Sequence, residues 1–212
     1  YELALRNSNH APTTMTMTAA PVSKIGRFAI LRVLGRGSQG AVYLAKDPDL
    51  DRLVAIKLVA DIASEGREDA GISPQARNLA QLRHPNIIAL YEAGRLHGFT
   101  YLVFEYLEGA VLRQELGQAG ALPLPRAYST MVQIVDAMAY AHAKGILHLD
   151  LNPNNIMRDG AGRPRIVDFD LSRAVGAQLA QTDLIAGTAS YMAPEYLAAG
   201  GVDARADVYA LG

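Results

Sequence analysis

The sequence predicts an α+β fold, a β-rich lobe followed by an α-rich lobe, and two observations carry that prediction. From Phe28 to about Val59 the chain reads as short β-like runs broken by turn-forming residues, and from Pro125 the apolar period lengthens to three and four residues. Half of the 212 residues are hydrophobic, enough to bury a sizeable core in one large or two small domains.

Residues 1–24 are expected to form a disordered N-terminal linker. From 7 to 24 the chain is small and polar, with Thr13, Thr14, Thr16, Thr18, Pro12 and Pro21 and no periodicity. A single domain is expected over 25–212, with its β-rich lobe at about 25–106 and its α-rich lobe from about 107. The runs Phe28 to Leu34, Ala41 to Ala45 and Leu53 to Val59, separated by Gly35 to Gly40 and by Asp47-Pro48-Asp49, predict antiparallel strands. Ser73-Pro74-Gln75 reads as an N-cap followed by proline at the first helical position. Ala76, Leu79, Ala80 and Leu82 follow at helical spacing, and His84-Pro85 ends the helix.

Ile87 to Tyr91 and Thr100 to Tyr106 read as two more strands. Beyond Pro125, Tyr128, Met131, Val132, Val135, Met138 and Ala139 predict a buried amphipathic helix that Lys144-Gly145 stops. Asp150, Asn155 and Asp168 then fall in loops, where reactive groups are usually carried. The chain opens at Tyr1 and closes inside the apolar run Val208-Tyr209-Ala210-Leu211-Gly212, so it is expected to be part of a longer protein.

Composition removes several function classes. Twenty basic against twenty-one acidic residues give a net charge of −1, without the basic field that nucleic acid or an anionic membrane would demand. The absence of cysteine excludes a disulfide framework, thiolate zinc sites and thiol catalysis, and is compatible with a reducing cytoplasm. No apolar run approaches the roughly 18 to 20 residues of a bilayer span.

Gly35-Arg36-Gly37-Ser38-Gln39-Gly40 is a GxGxxG motif whose context narrows its meaning. A dinucleotide-binding loop would open a helix, whereas Ala41-Val42-Tyr43-Leu44 continues as strand, and a Walker loop would need Lys and Ser or Thr where Ala41 and Val42 stand. A strand–glycine–strand hairpin remains, which either brings free backbone N–H groups against phosphates or is an ordinary turn. Val54-Ala55-Ile56-Lys57 places a lysine on an apolar strand, where it is either a phosphate partner or a solvated surface group.

Ile146 to Asn155, ILHLDLNPNN, resembles the catalytic loop of protein kinases, usually HRDLKPEN. Asp168-Phe169-Asp170 resembles the DFG metal motif, Gly187-Thr188 through Ala193-Pro194-Glu195 resembles the end of the activation segment, and Asp207 to Gly212 resembles the helix that follows. All occur in family order over about Phe28 to Gly212. The wording of Arg83 to Ile87 and Ala189 to Glu195 is closest to bacterial serine/threonine kinases, and the resemblance implies a bilobal kinase fold with its second lobe truncated.

The resemblance also implies roles. Lys57 would hold the α and β phosphates of ATP while Gly35, Gly37 and Gly40 cover them, and Asn155 and Asp168 would bind Mg2+. Asp150 would be the base beside an acceptor hydroxyl, with Asn152 next to it. Glu105 to Leu107 would offer backbone groups to adenine, and Leu34, Val42, Ala55, Phe104 and Met157 would line its pocket. His142 and His148 are expected to pack rather than react.

Four positions depart from the family pattern. Gln75 stands where a helix glutamate pairs with the lysine, with Glu65 and Glu68 as the other candidates. Leu149 replaces an arginine that would receive a phosphate at Thr182 or Thr188. Asn152 replaces a γ-phosphate lysine, and Asp170 replaces the DFG glycine. The expected activity is transfer of the ATP γ-phosphate to Ser or Thr of a protein substrate, the alternative being a pseudokinase that binds ATP as a signalling module. Gly187 to Glu195 disfavours a small-molecule kinase. The expected partners are ATP and protein, with no nucleic acid and no membrane segment in this chain. The expected location is cytoplasmic, leaving open an anchor beyond Gly212.

Overall fold

The computed structural model describes residues 23–37, 40–60, 72, 74–169, 189–197 and 202–212. Strands β1 (Lys24–Ile25), β2 (Phe28–Gly37), β3 (Gly40–Asp47) and β4 (Arg52–Ala60) precede the short helix α1 (Pro74–Leu79), and β5 (Leu90–Leu96) and β6 (Phe99–Glu105) complete a six-stranded sheet. Every pairing in it is antiparallel, and the spatial order is β1-β2-β3-β4-β6-β5. Helices α2 (Leu112–Ala119) and α3 (Leu124–Ala143) follow, then the two-stranded ribbon β7 (Ile156–Arg158) and β8 (Pro164–Ile166), and α4 (Pro194–Leu197) and α5 (Ala204–Ala210).

The alternation of side chains along a strand divides the sheet into two apolar faces. Ala45, Val54, Ile56 and Val103 point to one face and form a cluster with Ile25 and Phe28. Leu102 and Phe104, one position along in β6, point to the other face. There they join a larger cluster with Leu79, Leu90, Ile134, Met138, Ile156 and Ile166, so strands and helices share one core. The register pairs Ala55 with Phe104 and Lys57 with Leu102 on that second face.

Local chemistry explains the hairpins. Asp47 Oδ1 accepts the Asp49 N–H at 3.2 Å, an Asx turn at the end of β3. His97 and Gly98, both at positive φ (49° and 79°), make the two-residue connection between β5 and β6 that the right-handed twist of the strands favours.

Three expected elements shift. Ile87 and Ile88 are not strand: β5 starts only at Leu90 and continues through Gly94 to Leu96. Their apolar run reports burial, because Ile88 N–H donates to Ile166 O (2.9 Å) and Ile166 N–H to Asn86 O (2.7 Å), docking this connection beside β8. Helix α1 ends at Leu79, and Gln81 and Leu82 close it with tight bonds to Asn78 and Leu79, so Leu82 is buried from a turn. Helix α3 exists as expected but turns another side inward. Thr130, Ile134, Ala137, Met138 and Ala141 are buried, while Tyr128, Met131, Val132 and Val135 are exposed, Tyr128 at 71%. A helix apolar on more than one side gives a clear period without saying which stripe meets the core. Thr130 can sit inside because its hydroxyl donates to Arg126 O at 2.7 Å.

Candidate functional site

The sheet presents the first half of the site. Strands β2 and β3 run into the glycine hairpin itself, pairing Gly35 with Val42 and Gly37 with Gly40; Ser38 and Gln39 lie outside the described residues. Gly40 has φ of 130°, and a Cβ there would come within 1.9 Å of Leu58 O, so the backbone closes on β4 only because the side chain is missing. At Gly35 an added Cβ would meet nothing within 4 Å, so glycine there answers no packing demand and leaves the surface open.

Lys57 is 7% exposed and forms an ion pair with Asp168. A surface lysine is thereby excluded: the ammonium is buried on the core-facing side of β4, where a charge must be compensated. Asp168 adopts φ of 60°, a left-handed conformation that aspartate tolerates better than most residues.

The second half is built from loops tied together by side chains. Asn152 Nδ2 donates to Asp150 O (2.9 Å) and Oδ1 (3.0 Å), while its own Oδ1 accepts the Asn154 N–H at 2.9 Å. Asn155 Nδ2 donates to Asp150 O (2.7 Å) and Oδ2 (2.8 Å). Each carboxylate oxygen of Asp150 thus receives one amide, which fixes its plane. The amide of Asn152 is spent within the loop, where the family's lysine would carry a free charge. Asn155 keeps its Oδ1 as an acceptor.

His148 is fully buried, and burial pushes its pKa below the ordinary 6.5. It bridges the two loops as a neutral ring. Nε2–H donates to Val167 O at 3.0 Å, next to Asp168, and Nδ1 accepts the Asp150 N–H at 3.3 Å, while Phe169 packs on the ring at 4.6 Å between centroids. This is the packing role expected for His148.

Under the loop lies Asp207 of α5, 1% exposed. It accepts the N–H groups of His148 (2.9 Å) and Leu149 (2.8 Å) and contacts His142 Nε2 at 2.8 Å. Leu149 is held at φ of 64°, strained for a leucine, by that bond and by packing with Ala193, Tyr196 and Ala206.

The candidate base pocket also comes together in part. Ala55, Phe104, Leu107 and Met157 belong to or pack against the larger core cluster, whereas Leu34 and Val42 lie outside it, near the hairpin. Glu105 ends β6 with its N–H donated to Ala89 O (2.9 Å) and its carboxylate paired with Arg165. Sequence reasoning gave no role to Asp207 or Arg165. The only available signal was a charged residue inside an apolar run, in Pro164-Arg165-Ile166-Val167 and in Ala206-Asp207-Val208. Glu65, Glu68, Ser73, Asp170, Thr182, Gly187, Thr188 and most of the expected linker lie outside the described residues, as does the side chain of Gln75.

The donor set suits Mg2+. Among the described residues no group of three His, Cys, Asp or Glu could form an all-protein metal cage. The Asp168 carboxylate and the amide oxygen of Asn155, which accepts no hydrogen bond among the described residues, are hard oxygen donors of the kind magnesium takes in ones and twos beside phosphates and water. Among the same residues no helix is long and apolar enough to cross a membrane.

Comparison with known proteins agrees with this geometry. The protein kinase domain family matches residues 28–212. The chain is 37% identical over 189 residues to serine/threonine-protein kinase PrkC of Bacillus subtilis, and 35% identical over 194 residues to serine/threonine-protein kinase PknB of Mycobacterium tuberculosis. Those matches cover 88% of this chain but only 29% and 31% of the relatives, so it spans under a third of their length. The crystal structure of the Mycobacterium tuberculosis PknI kinase domain superposes with a TM-score of 0.68 at 26% identity, covering 91% of this chain and 74% of that one. Members of the family generally use ATP and Mg2+. With the family matched across the sheet, the paired Lys57 and Asp168 and the loop around Asp150, this chain belongs to the protein kinase domain family.

Proposed function

We propose that this chain carries a protein serine/threonine kinase activity, transferring the γ-phosphate of ATP to Ser or Thr of a protein substrate. The observation that carries the reading is the ion pair of the buried Lys57 with the half-buried Asp168, joined through His148 to an Asp150 whose two carboxylate oxygens are each held by an amide. Phosphoryl transfer asks little covalent chemistry of a protein but much alignment and charge neutralisation.

In this reading Lys57 turns its ammonium to the α and β phosphates, and Gly35, Gly37 and Gly40 cover them with backbone. The backbone of Glu105 and Leu107 receives adenine, with Leu34, Val42, Ala55, Phe104 and Met157 around it. Asp168 and the Oδ1 of Asn155 would hold Mg2+, which supplies positive charge to the phosphates when bound. Asp150 accepts the proton of the acceptor hydroxyl, and Asn152 holds it in place. ATP as phosphate donor assigns the domain to the cytoplasm.

The test is phosphate incorporation into a generic acceptor protein with ATP and Mg2+, followed by identification of the phosphorylated residue. Asp150→Asn should lower the rate by about a hundredfold or more, and Lys57→Met should weaken ATP binding. Unchanged incorporation in Asp150→Asn, or phosphate found on tyrosine alone, overturns the reading. ATP binding with no incorporation by the parent chain identifies the pseudokinase.

A further inference from the structure

Arg165 is a strongly built feature for which the proposed reaction has no role. It sits in the middle of β8, three residues before Asp168, with 8% of its surface exposed. Nη2 lies 2.5 Å from Glu105 Oε2 and donates to Ile87 O at 3.1 Å, and Nη1 lies 3.3 Å from Glu105 Oε1 and 3.9 Å from Asp159 Oδ2. Its Nε is buried without a hydrogen-bond partner among the described residues. A buried ion pair is a poor source of stability, because desolvation offsets most of the attraction, so this one is better understood by what its fork holds in place.

What it holds is the end of β6. Glu105 is fixed on its backbone side by the bond from its N–H to Ala89 O, and on its side-chain side by the two-pronged contact with Arg165. Arg165 is itself anchored in a strand that exchanges backbone bonds with Asn86 and Ile88. One cation therefore joins the last residue of β6, the 86–88 connection and the strand leading to Asp168.

We propose that Arg165 is a positioning residue for base recognition. By clamping the Glu105 carboxylate it fixes the backbone edge of 105–107 that faces the nucleobase. The proposal rests on the nucleotide reading above and deepens it.

The test measures dissociation constants by calorimetry for adenosine alone and for ATP with Mg2+, together with melting temperatures, on the parent chain, Arg165→Met, Arg165→Lys, Glu105→Gln and the Arg165→Met/Glu105→Gln double variant. Arg165→Met should weaken adenosine and ATP-Mg by the same factor, about tenfold. Arg165→Lys should recover part of the loss, since an ammonium engages one carboxylate oxygen where the guanidinium engages two. The double variant should be no weaker than the worse single one.

A lower melting temperature with unchanged adenosine affinity makes Arg165 merely structural and overturns the proposal. So does a loss confined to ATP-Mg, which would route the effect through Asp168. If Arg165→Met does not fold, Glu105→Gln keeps the shape, removes only the anion and reads the same ratio. A parent chain that binds neither adenosine nor ATP-Mg defeats the nucleotide reading, whereas one that binds both while Arg165→Met and Glu105→Gln bind equally well defeats only the clamp.

Discussion

The two halves of the site are held by different means. Gly35, Gly40, Ala55 and Lys57 stand on a sheet whose backbone ladder sets their places. Asp150, Asn152 and Asp168 stand on loops, and Asn155 on a single 3-10 turn (Pro153–Asn155), whose places are set by side chains, with Asp207 and His148 at the centre. A ladder spreads its load over many backbone bonds, while a polar net concentrates it on a few buried groups that become costly when left unpaired. The loop half should therefore be the fragile one.

The largest effect is expected at Asp207. Asp207→Ala strands two backbone N–H groups and the contact of His142, and should cost about 3 kcal/mol or more, read as a lowered denaturant midpoint together with lost phosphotransfer. A loss below about 0.5 kcal/mol would mean that water replaces the carboxylate and that the net is not central.

Within the sheet half, backbone approach is the sensitive quantity. Gly40→Ala places a Cβ against Leu58 O at positive φ and should cost about 2 kcal/mol, whereas Gly35→Ala, with open space, should stay within about 0.5 kcal/mol of the parent while weakening ATP binding. Equal destabilisation by both would show that the hairpin depends on glycine for folding alone.

Asn152 sharpens the comparison on the catalytic side. Asn152→Ala removes one amide from Asp150 and should lower kcat about tenfold with little change in KM for ATP. Asn152→Lys, which restores a donor and adds a charge, should equal or exceed the parent. A rise in KM with unchanged kcat in the alanine variant would instead place Asn152 in ground-state binding of ATP.

The smallest effect is one of pH, and it is expected at His148 in the loop half. The folded pKa of His148 is depressed by burial, so below its ordinary 6.5 the unfolded chain binds a proton that the folded chain refuses. Stability is full above that value and falls as pH is lowered from 6.5 towards the depressed folded value. The melting temperature should drop between neutral and mildly acidic buffer, and the slope should flatten in His148→Asn. An unchanged slope in that variant would assign the acid sensitivity elsewhere.

Legible in the residues alone were strands β2, β3, β4 and β6, the long helix α3, the glycine hairpin, the lysine on its strand and the loop positions of Asp150 and Asp168, because turn residues and local periods are short-range properties. Which stripe of α3 is buried, where β5 begins, that Asp207 lies under the backbone of His148 and Leu149, and that Arg165 grips Glu105 came from the packed chain, together with the short helix α2 and the ribbon of β7 and β8. The physical reason is distance along the chain. Leu149 and Asp207 meet across 58 residues, Glu105 and Arg165 across 60, and Lys57 and Asp168 across 111. No local pattern specifies such a meeting; it follows from burying the second face of the sheet against α3 and β8, which leaves each buried charge with the partner that the packing supplies.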